Sequence, residues 1–269
     1  MLVMGVFCTS VANAGAGIGV TVGTGPDDYI SRGADLTLWS GDGVLNAGVS
    51  YRESESGDSA ANDTEETHAT LGLQLESGVG LSANYTFNDE STLEIETLGA
   101  GVSLPLDKAQ TTRLFLDYRA STYTGKGILH RQLDRDEYAI GLSHSLSDRF
   151  SIGASYSDYH YSPDPSAPFV TLFQQRRQRP LAADSILFDL LDYAWTVNAD
   201  WRMTERQTLG LFYNRAYNLF GELSSVTTVS DRVVVGEQWS IDLSASRIVE
   251  SGSSESDYYY DLGLHYYFD

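Results

Sequence analysis

A single cysteine in 269 residues rules out a disulfide framework or a Cys-rich metal site. Cations are scarce as well: 17 Lys and Arg stand against 37 Asp and Glu, a formal net charge of -20. That balance excludes nucleic acid as a partner, because a phosphate-binding surface needs clustered cations. No run approaches the roughly 18 consecutive apolar residues of a membrane helix, and the mean hydropathy is slightly negative. Helix-period segments of useful length are missing, and the five histidines are too scattered to nominate a metal site. No metal or cofactor is therefore expected. These absences leave open one class that reads as polar and still crosses a membrane. A lipid-spanning strand needs only about 9–11 residues, half of them facing a wet interior.

The final residues, Asp257 to Asp269, show what is present. One alternate set is Tyr258, Tyr260, Leu262, Leu264, Tyr266 and Phe268; the other is Tyr259, Asp261, Gly263, His265 and Tyr267. A strand places the two sets on opposite faces. The first is apolar with aromatics at both ends, and the second is small or polar in its middle, as expected between lipid and a watery lumen. The same grammar begins at Gly15. Ala16, Ile18, Val20 and Val22 alternate with Gly17, Gly19, Thr21 and Gly23, and Val79, Leu81, Ala83, Tyr85 and Phe87 alternate with Gly80, Ser82, Asn84, Thr86 and Asn88. Short Gly/Asp/Ser turns alternate with longer polar loops. In the sixth strand, about 92–104, the apolar parity changes between Ile95 and Leu98, which predicts a β-bulge near Thr97. The twelfth, Leu223 to Val235, alternates poorly. It is kept because both ends of such a barrel lie on one side, which requires an even number of strands.

The expected fold is all-β: a transmembrane antiparallel up-and-down β-barrel of about fourteen strands, with twelve as the fallback. Closure satisfies every backbone N–H and C=O, as lipid demands. A sandwich would bury its second face in a dry core, whereas here that face is rich in Gly, Ser, Thr, Asn and Asp. By parity the interior receives Asp35, Arg52, His68, Arg113, Asp117, Arg119, Asp200, Arg202, Asp242, Asp261 and His265. Arg113, Asp117, Arg119, Asp200 and Asp242 are the candidates for tuning its field. Many small interior residues favour an open lumen.

Seven longer loops are expected outside, near 24–30, 53–66, 88–92, 121–135, 161–186, 219–223 and 251–257. The second is acidic and lacks the fixed oxygen spacing and sharp Gly turn of a Ca²⁺ loop. The fifth holds Arg176, Arg177 and Arg179 behind an apolar run. That loop is expected either to stay a mobile external segment, or to fold in and narrow the pore, or to contact lipopolysaccharide phosphates through its arginines, as bidentate donors do. At the other end, Met1 to Ala14 has an apolar core followed by Ala12-Asn13-Ala14, which predicts a signal peptide over 1–14 and a barrel over 15–269. The basic stretch expected before that core is missing. Cys8 falls inside the segment, so the processed chain would have no thiol.

Catalysis is not expected. The length resembles that of the outer-membrane phospholipase, but none of its motifs is present, nor those of the lipid A deacylases or the outer-membrane proteases. The best hydrolytic geometry would be His160 and Ser162 on one face beside Asp158, whereas the adjacent His144 and Ser145 point to opposite faces.

The terminal strand resembles that of Gram-negative outer-membrane β-barrels, which the barrel-assembly machinery reads through an aromatic at or near the C-terminus. Tyr266 and Phe268 would supply that signal, with Phe268 penultimate rather than last. The chain is similar in architecture to monomeric porin-like channels, without a family-specific motif. The resemblance implies outer-membrane localisation, lipid and lipopolysaccharide as surroundings, and passive diffusion of small hydrophilic solutes. A cation preference follows if the acidic balance reaches the pore. The alternative is a non-conducting barrel whose outer loops bind a surface partner or scaffold an envelope or export complex. Oligomeric state is not legible.

Overall fold

The computed structural model describes residues 14–41, 43–56, 63–90, 93–126, 132–162, 190–219, 221–250 and 256–268. The cleaved segment expected over 1–14 and the arginines at 176, 177 and 179 fall almost wholly outside them. Among the described residues fourteen strands follow in chain order. They are β1 (Gly15–Thr24), β2 (Ile30–Trp39), β3 (Leu45–Glu55), β4 (Thr64–Gln74), β5 (Gly80–Glu90), β6 (Leu93–Pro105) and β7 (Thr112–Gly125). Then come β8 (Gln132–Ser147), β9 (Phe150–Ser162), β10 (Leu191–Thr204), β11 (Gln207–Asn218), β12 (Leu223–Val235), β13 (Trp239–Glu250) and β14 (Ser256–Phe268). Each pairs antiparallel with its neighbours in sequence, and β1 pairs with β14, closing the barrel. β12, weak in alternation, pairs along its length with β11 and β13.

The outer wall carries the apolar parity. Val20, Leu36, Leu71, Val197, Leu211 and Leu262 are exposed there. Near the short-turn end the outer surface carries Trp201, Trp239, Tyr266 and Phe268; nearer the long-loop end it carries Tyr51, Tyr85, Tyr118 and Tyr138. Such girdles mark the two membrane interfaces. Above the second girdle the outer surface turns acidic, and the tyrosines hydrogen-bond into it: Tyr118 Oη donates to Asp136 at 2.5 Å and Tyr85 Oη to Glu96 at 3.3 Å. One carboxylate, Asp231, shares the outward face with Val229 and Val233, and Gln207 caps both its oxygens at 3.2 and 2.9 Å.

The bulge expected near Thr97 is absent. β6 keeps continuous register with β7 from Leu93 to Pro105 and with β5 from Glu94 to Ser103. What changes is the polarity of the faces: Leu93 and Ile95 point inward and are buried, whereas Leu98 points out. The cause is length. At 13 to 16 residues, β6 to β9 exceed what lipid requires, so their outer portions leave the hydrocarbon and the apolar-out rule lapses. Strand also fills much of the loop expected at 121–135, since β7 continues to Gly125 and β8 begins at Gln132.

The short turns are tightly bonded. In the turn between β6 and β7, the Asp107 carboxylate accepts the backbone N–H of Thr111 at 3.0 Å and of Thr112 at 2.7 Å, and the Thr111 hydroxyl at 3.1 Å. Led by the Thr111 N–H bond, these donors lower its pKa from 3.8 to about 2. A depressed carboxylate stabilises the fold above its unfolded pKa and loses that contribution as pH falls through its folded value. The Thr111 and Thr112 amide resonances of the detergent-solubilised barrel are therefore expected to titrate together with a midpoint near 2, and to stop titrating in Asp107→Asn. A midpoint near 4 would disprove the bonding.

Candidate functional site

Register and glycine position build the interior. β1 turns Gly15, Gly17, Gly19 and Gly23 inward, and each takes a neighbour's side chain across it. Gly19 lies between Asp35 on β2 and His265 on β14, and a Cβ there would meet both side chains. Freed of that obstruction, His265 places Nε2 2.9 Å from Asp242 Oδ2 and Nδ1 3.6 Å from Asp35 Oδ1. Arg232 in turn grips Asp242 with Nε at 2.5 Å and Nη2 at 3.2 Å, the bidentate geometry that suits a carboxylate. A polar ribbon thus runs from β12 to β2 across the closing seam.

A second crossing lies nearer the long-loop end. Arg52 on β3 passes over Gly33 and ion-pairs with Asp261 on β14 above Gly23. It also donates to Ser31 Oγ at 3.0 Å, while Ser244 Oγ donates to Asp261 at 3.3 Å. A third crossing is aromatic: Trp39 covers Gly15 and lies 6.2 Å, ring to ring, from Tyr267, which covers Gly17. The small residues of β1 therefore do not simply leave free lumen, as the sequence suggests. Their space is occupied by side chains that tie the first strands to the last.

The five candidate field residues all lie on the inward parity, in different settings. Arg119 pairs with Glu137 at 3.5 Å. Asp242 belongs to the seam ribbon. Arg113 is pinned at the short-turn rim, donating to Gly78 O and Ser103 Oγ at 2.7 Å each. Asp117 and Asp200 have no ion-pair partner among the described residues. The seam cluster of Asp35, Arg52, Asp261 and His265 was legible only as a set of inward residues. The signal for its assembly was the glycine run on β1, whose phase matches theirs.

Toward the long-loop end the interior becomes apolar. Leu93, Ile95, Tyr123, Leu133 and Leu190 form one buried cluster. Tyr29, Tyr159, Leu191, Val226, Ile248 and Tyr259, with Ala194 and Ala216, form another, and Tyr161 packs against both. Arg135 is buried between Tyr123 and Tyr159, its guanidinium 5.3 and 5.2 Å from the two ring centres, and donates to Ser121 at 3.2 Å. Water does not reach these walls, in contrast to the uniformly open lumen expected from the sequence.

His160, the hydrolytic candidate, lies on the outer surface. Its Nε2 faces Asp158 at 3.1 Å and its ring lies 5.9 Å from that of Tyr138. Among the described residues no serine hydroxyl hydrogen-bonds to it.

A Gram-negative porin family model matches residues 4–164, more than half of the chain. The chain belongs to the Gram-negative porin family. Solved structures agree on the fold. The CymD monoaromatic hydrocarbon channel superposes with a TM-score of 0.54 at 10% identity, covering 96% of this chain and 88% of that one. The KdgM porin does so with 0.50 at 10%, covering 94% and 99%. OmpT of Vibrio cholerae lacking loop L8 gives 0.50 at 10%, covering 96% and 99%. No curated protein matches in sequence. This porin is thus an outer-membrane channel for small solutes, and its candidate site is the channel interior. In the porin's last strand, Tyr266 and Phe268 face outward with rings 4.7 Å apart, and Tyr266 Oη donates to Gln238 at 2.9 Å.

Proposed function

We propose that the porin mediates passive diffusion of small hydrophilic solutes and favours cations over anions. The supporting observation is where the unpaired interior charges sit. Among the described residues Arg52, Arg119 and Arg232 each have a carboxylate partner, Arg113 and Arg202 lie at the short-turn rim without one, and Asp117 and Asp200 face the interior without an ion-pair partner. Unpaired carboxylates along a low-dielectric wall lower the energy of a passing cation and raise that of an anion. The seam ribbon is close to self-neutral, so its contribution is rigidity of the wall. No chemical step is involved: solute moves down its gradient through an interior fixed by the barrel.

Single-channel recording in planar bilayers under a salt gradient tests this reading. The expected reversal potential has the sign of cation preference. A unit charge is worth about 1 kcal/mol at 4 Å in water, so Asp117→Asn combined with Asp200→Asn should lower the cation-to-anion permeability ratio severalfold. An anion-selective wild type, or a double variant indistinguishable from it, would refute the preference.

The same reading takes lipopolysaccharide as the outer-leaflet surroundings, the barrel-assembly machinery as the partner reading Tyr266 and Phe268, and residues 1–14 as a segment removed on export. The outward aromatic pair at the end of β14 supports the second of these.

A further inference from the structure

Two arginines on the outer wall depart from the pattern of the other cations there. Arg215 on β11 shares the outward face with Leu211 and Tyr213, Arg247 on β13 shares it with Leu243 and Ala245, and both are exposed. The other described cations toward the long loops meet carboxylates: Arg32 lies 3.5 and 3.8 Å from Glu53 and Glu55, and Lys126 pairs with Asp89 and Glu94. Arg215 and Arg247 have no carboxylate partner among the described residues, in a chain with 37 Asp and Glu against 17 Lys and Arg. Instead Arg247 donates to Ser256 Oγ from Nε and Nη2 at 3.2 and 2.9 Å. The Arg215 guanidinium lies 5.4 Å from the ring centre of Tyr217, which stacks on Tyr193. On β12, the strand between them, Ser225 stands opposite Arg215 and Thr227 opposite Arg247, both facing outward. The outward carboxylate described on β11 to β14, Asp231, lies toward the short turns.

Height decides what these arginines meet. Each stands the same distance along its strand from the short-turn end, from Gln207 to Arg215 on β11 and from Trp239 to Arg247 on β13. At about 3.3 Å per residue and a tilt of about 40°, that is roughly 20 Å up a wall whose apolar band is about 25 Å tall. Long arginine side chains reach on from there to the headgroups. With one strand between them, the two backbones are about 10–12 Å apart, so both guanidinium groups can reach one anion.

We infer that Arg215 and Arg247, with the hydroxyls of Ser225 and Thr227 between them, form a docking site on the outer wall for the phosphate of lipopolysaccharide. The inference rests on the reading of lipopolysaccharide as the outer-leaflet surroundings and names the residues that hold it. A guanidinium offers planar, paired donors that match phosphate oxygens. The hydroxyls add donors without adding charge. Elsewhere the same level of the wall is acidic, with Glu65, Glu96, Asp136 and Asp158 facing outward. That sector repels a phosphate unless a metal ion comes between them. Direct contact is therefore confined to β11–β13, and the lipid is held on one side of the barrel.

The test is native mass spectrometry of the folded barrel in detergent, with diphosphoryl lipid A as the probe and phosphatidylethanolamine as the comparison. Each is measured in EDTA and in magnesium. The wild type is expected to retain lipid A in preference to phosphatidylethanolamine in EDTA, where metal bridging to the acidic sector is removed. Arg215→Gln combined with Arg247→Gln should raise the lipid A dissociation constant about tenfold, the effect of losing one charge-assisted hydrogen bond. Arg32→Gln, which removes an outward cation already engaged by Glu53 and Glu55, should leave it unchanged. All three positions are exposed, and heat-modifiable mobility reports folding of each variant. Retention that requires magnesium, or equal retention by the double variant, Arg32→Gln and wild type, overturns the docking site and leaves lipopolysaccharide as the surroundings. So does an equal loss in Arg32→Gln and the double variant. A folded wild type that retains no lipid A in EDTA or in magnesium removes that reading, and this inference with it.

Discussion

Leu211→Arg is expected to destabilise the barrel by about 2–4 kcal/mol when folding is measured by urea titration in lipid bilayers, the cost of a cation facing mid-bilayer hydrocarbon. Leu211 points outward on β11 with 49% of its surface exposed, between Ala199 on β10 and Val229 on β12. Neither of these directly opposite neighbours offers a counter-charge or a hydrogen bond, and the outward Asp231, diagonal on β12, is already capped by Gln207. The next residue, Phe212, faces inward, and Phe212→Tyr at that position should change stability little, because the added hydroxyl meets polar interior groups such as Asn198. The contrast isolates the face from the residue type. Equal, small effects at both positions would mean that the exposed apolar band does not contact lipid.

Gly19→Leu should be nearly as damaging, for a reason inside the barrel. Its Cβ alone would meet the His265 ring and the Asp35 carboxylate. Neither can retreat into the wall without breaking the contacts of His265 with Asp242 and Asp35. Overpacking of this kind costs about 1–3 kcal/mol, with about 0.5–1.5 kcal/mol more for each hydrogen bond lost. The expected result is a lower urea midpoint and slower closure of β1 on β14. His265→Ala in the same chain removes one of the two side chains above Gly19, leaving the Asp35 carboxylate, and should recover part of the loss, a coupling read from a double-mutant cycle. Simple additivity of the two changes would show that the seam is not held by the side chains lying across β1.

The architecture was legible because its signal is local. Alternation in Val79–Asn88 or Asp257–Phe268 assigns a face to each residue without reference to any other strand. Strand number followed from adding such segments and requiring an even total, which is how Leu223–Val235 was retained and why it pairs as β12. Misreading arose where that local rule changes meaning along one strand. Leu93 and Ile95 share a parity with each other and not with Leu98, a change that on its own suggests a bulge. The register is regular, and it is the surroundings that change from lipid to headgroups and water. Val226 facing in and Val229 facing out give β12 its poor alternation for the same reason. The dry outer half of the interior is hidden by this effect: Tyr29, Tyr123 and Leu133 fall in the expected loops, whereas Tyr259, its member on the last strand, does show the inward parity.

The sequence by itself determined that this porin is a closed antiparallel barrel with an apolar outer band, because a period of two is set within each strand by the pleat. It also assigned many of the charged residues to the interior, Asp35, Arg52, Asp242 and His265 among them, but not Arg232, Arg135 or Glu137, which face it as well. Only the tertiary structure decided which of those charges meet. Arg52 and Asp261 are 209 residues apart and pair because closure brings β14 beside β1, where the glycines let side chains cross the seam. Asp117 and Asp200 form no ion pair among the described residues; Arg119, two residues from Asp117 on the same face, turns to Glu137 instead. Coulombic pairing depends on distance across the folded wall, which no local pattern encodes.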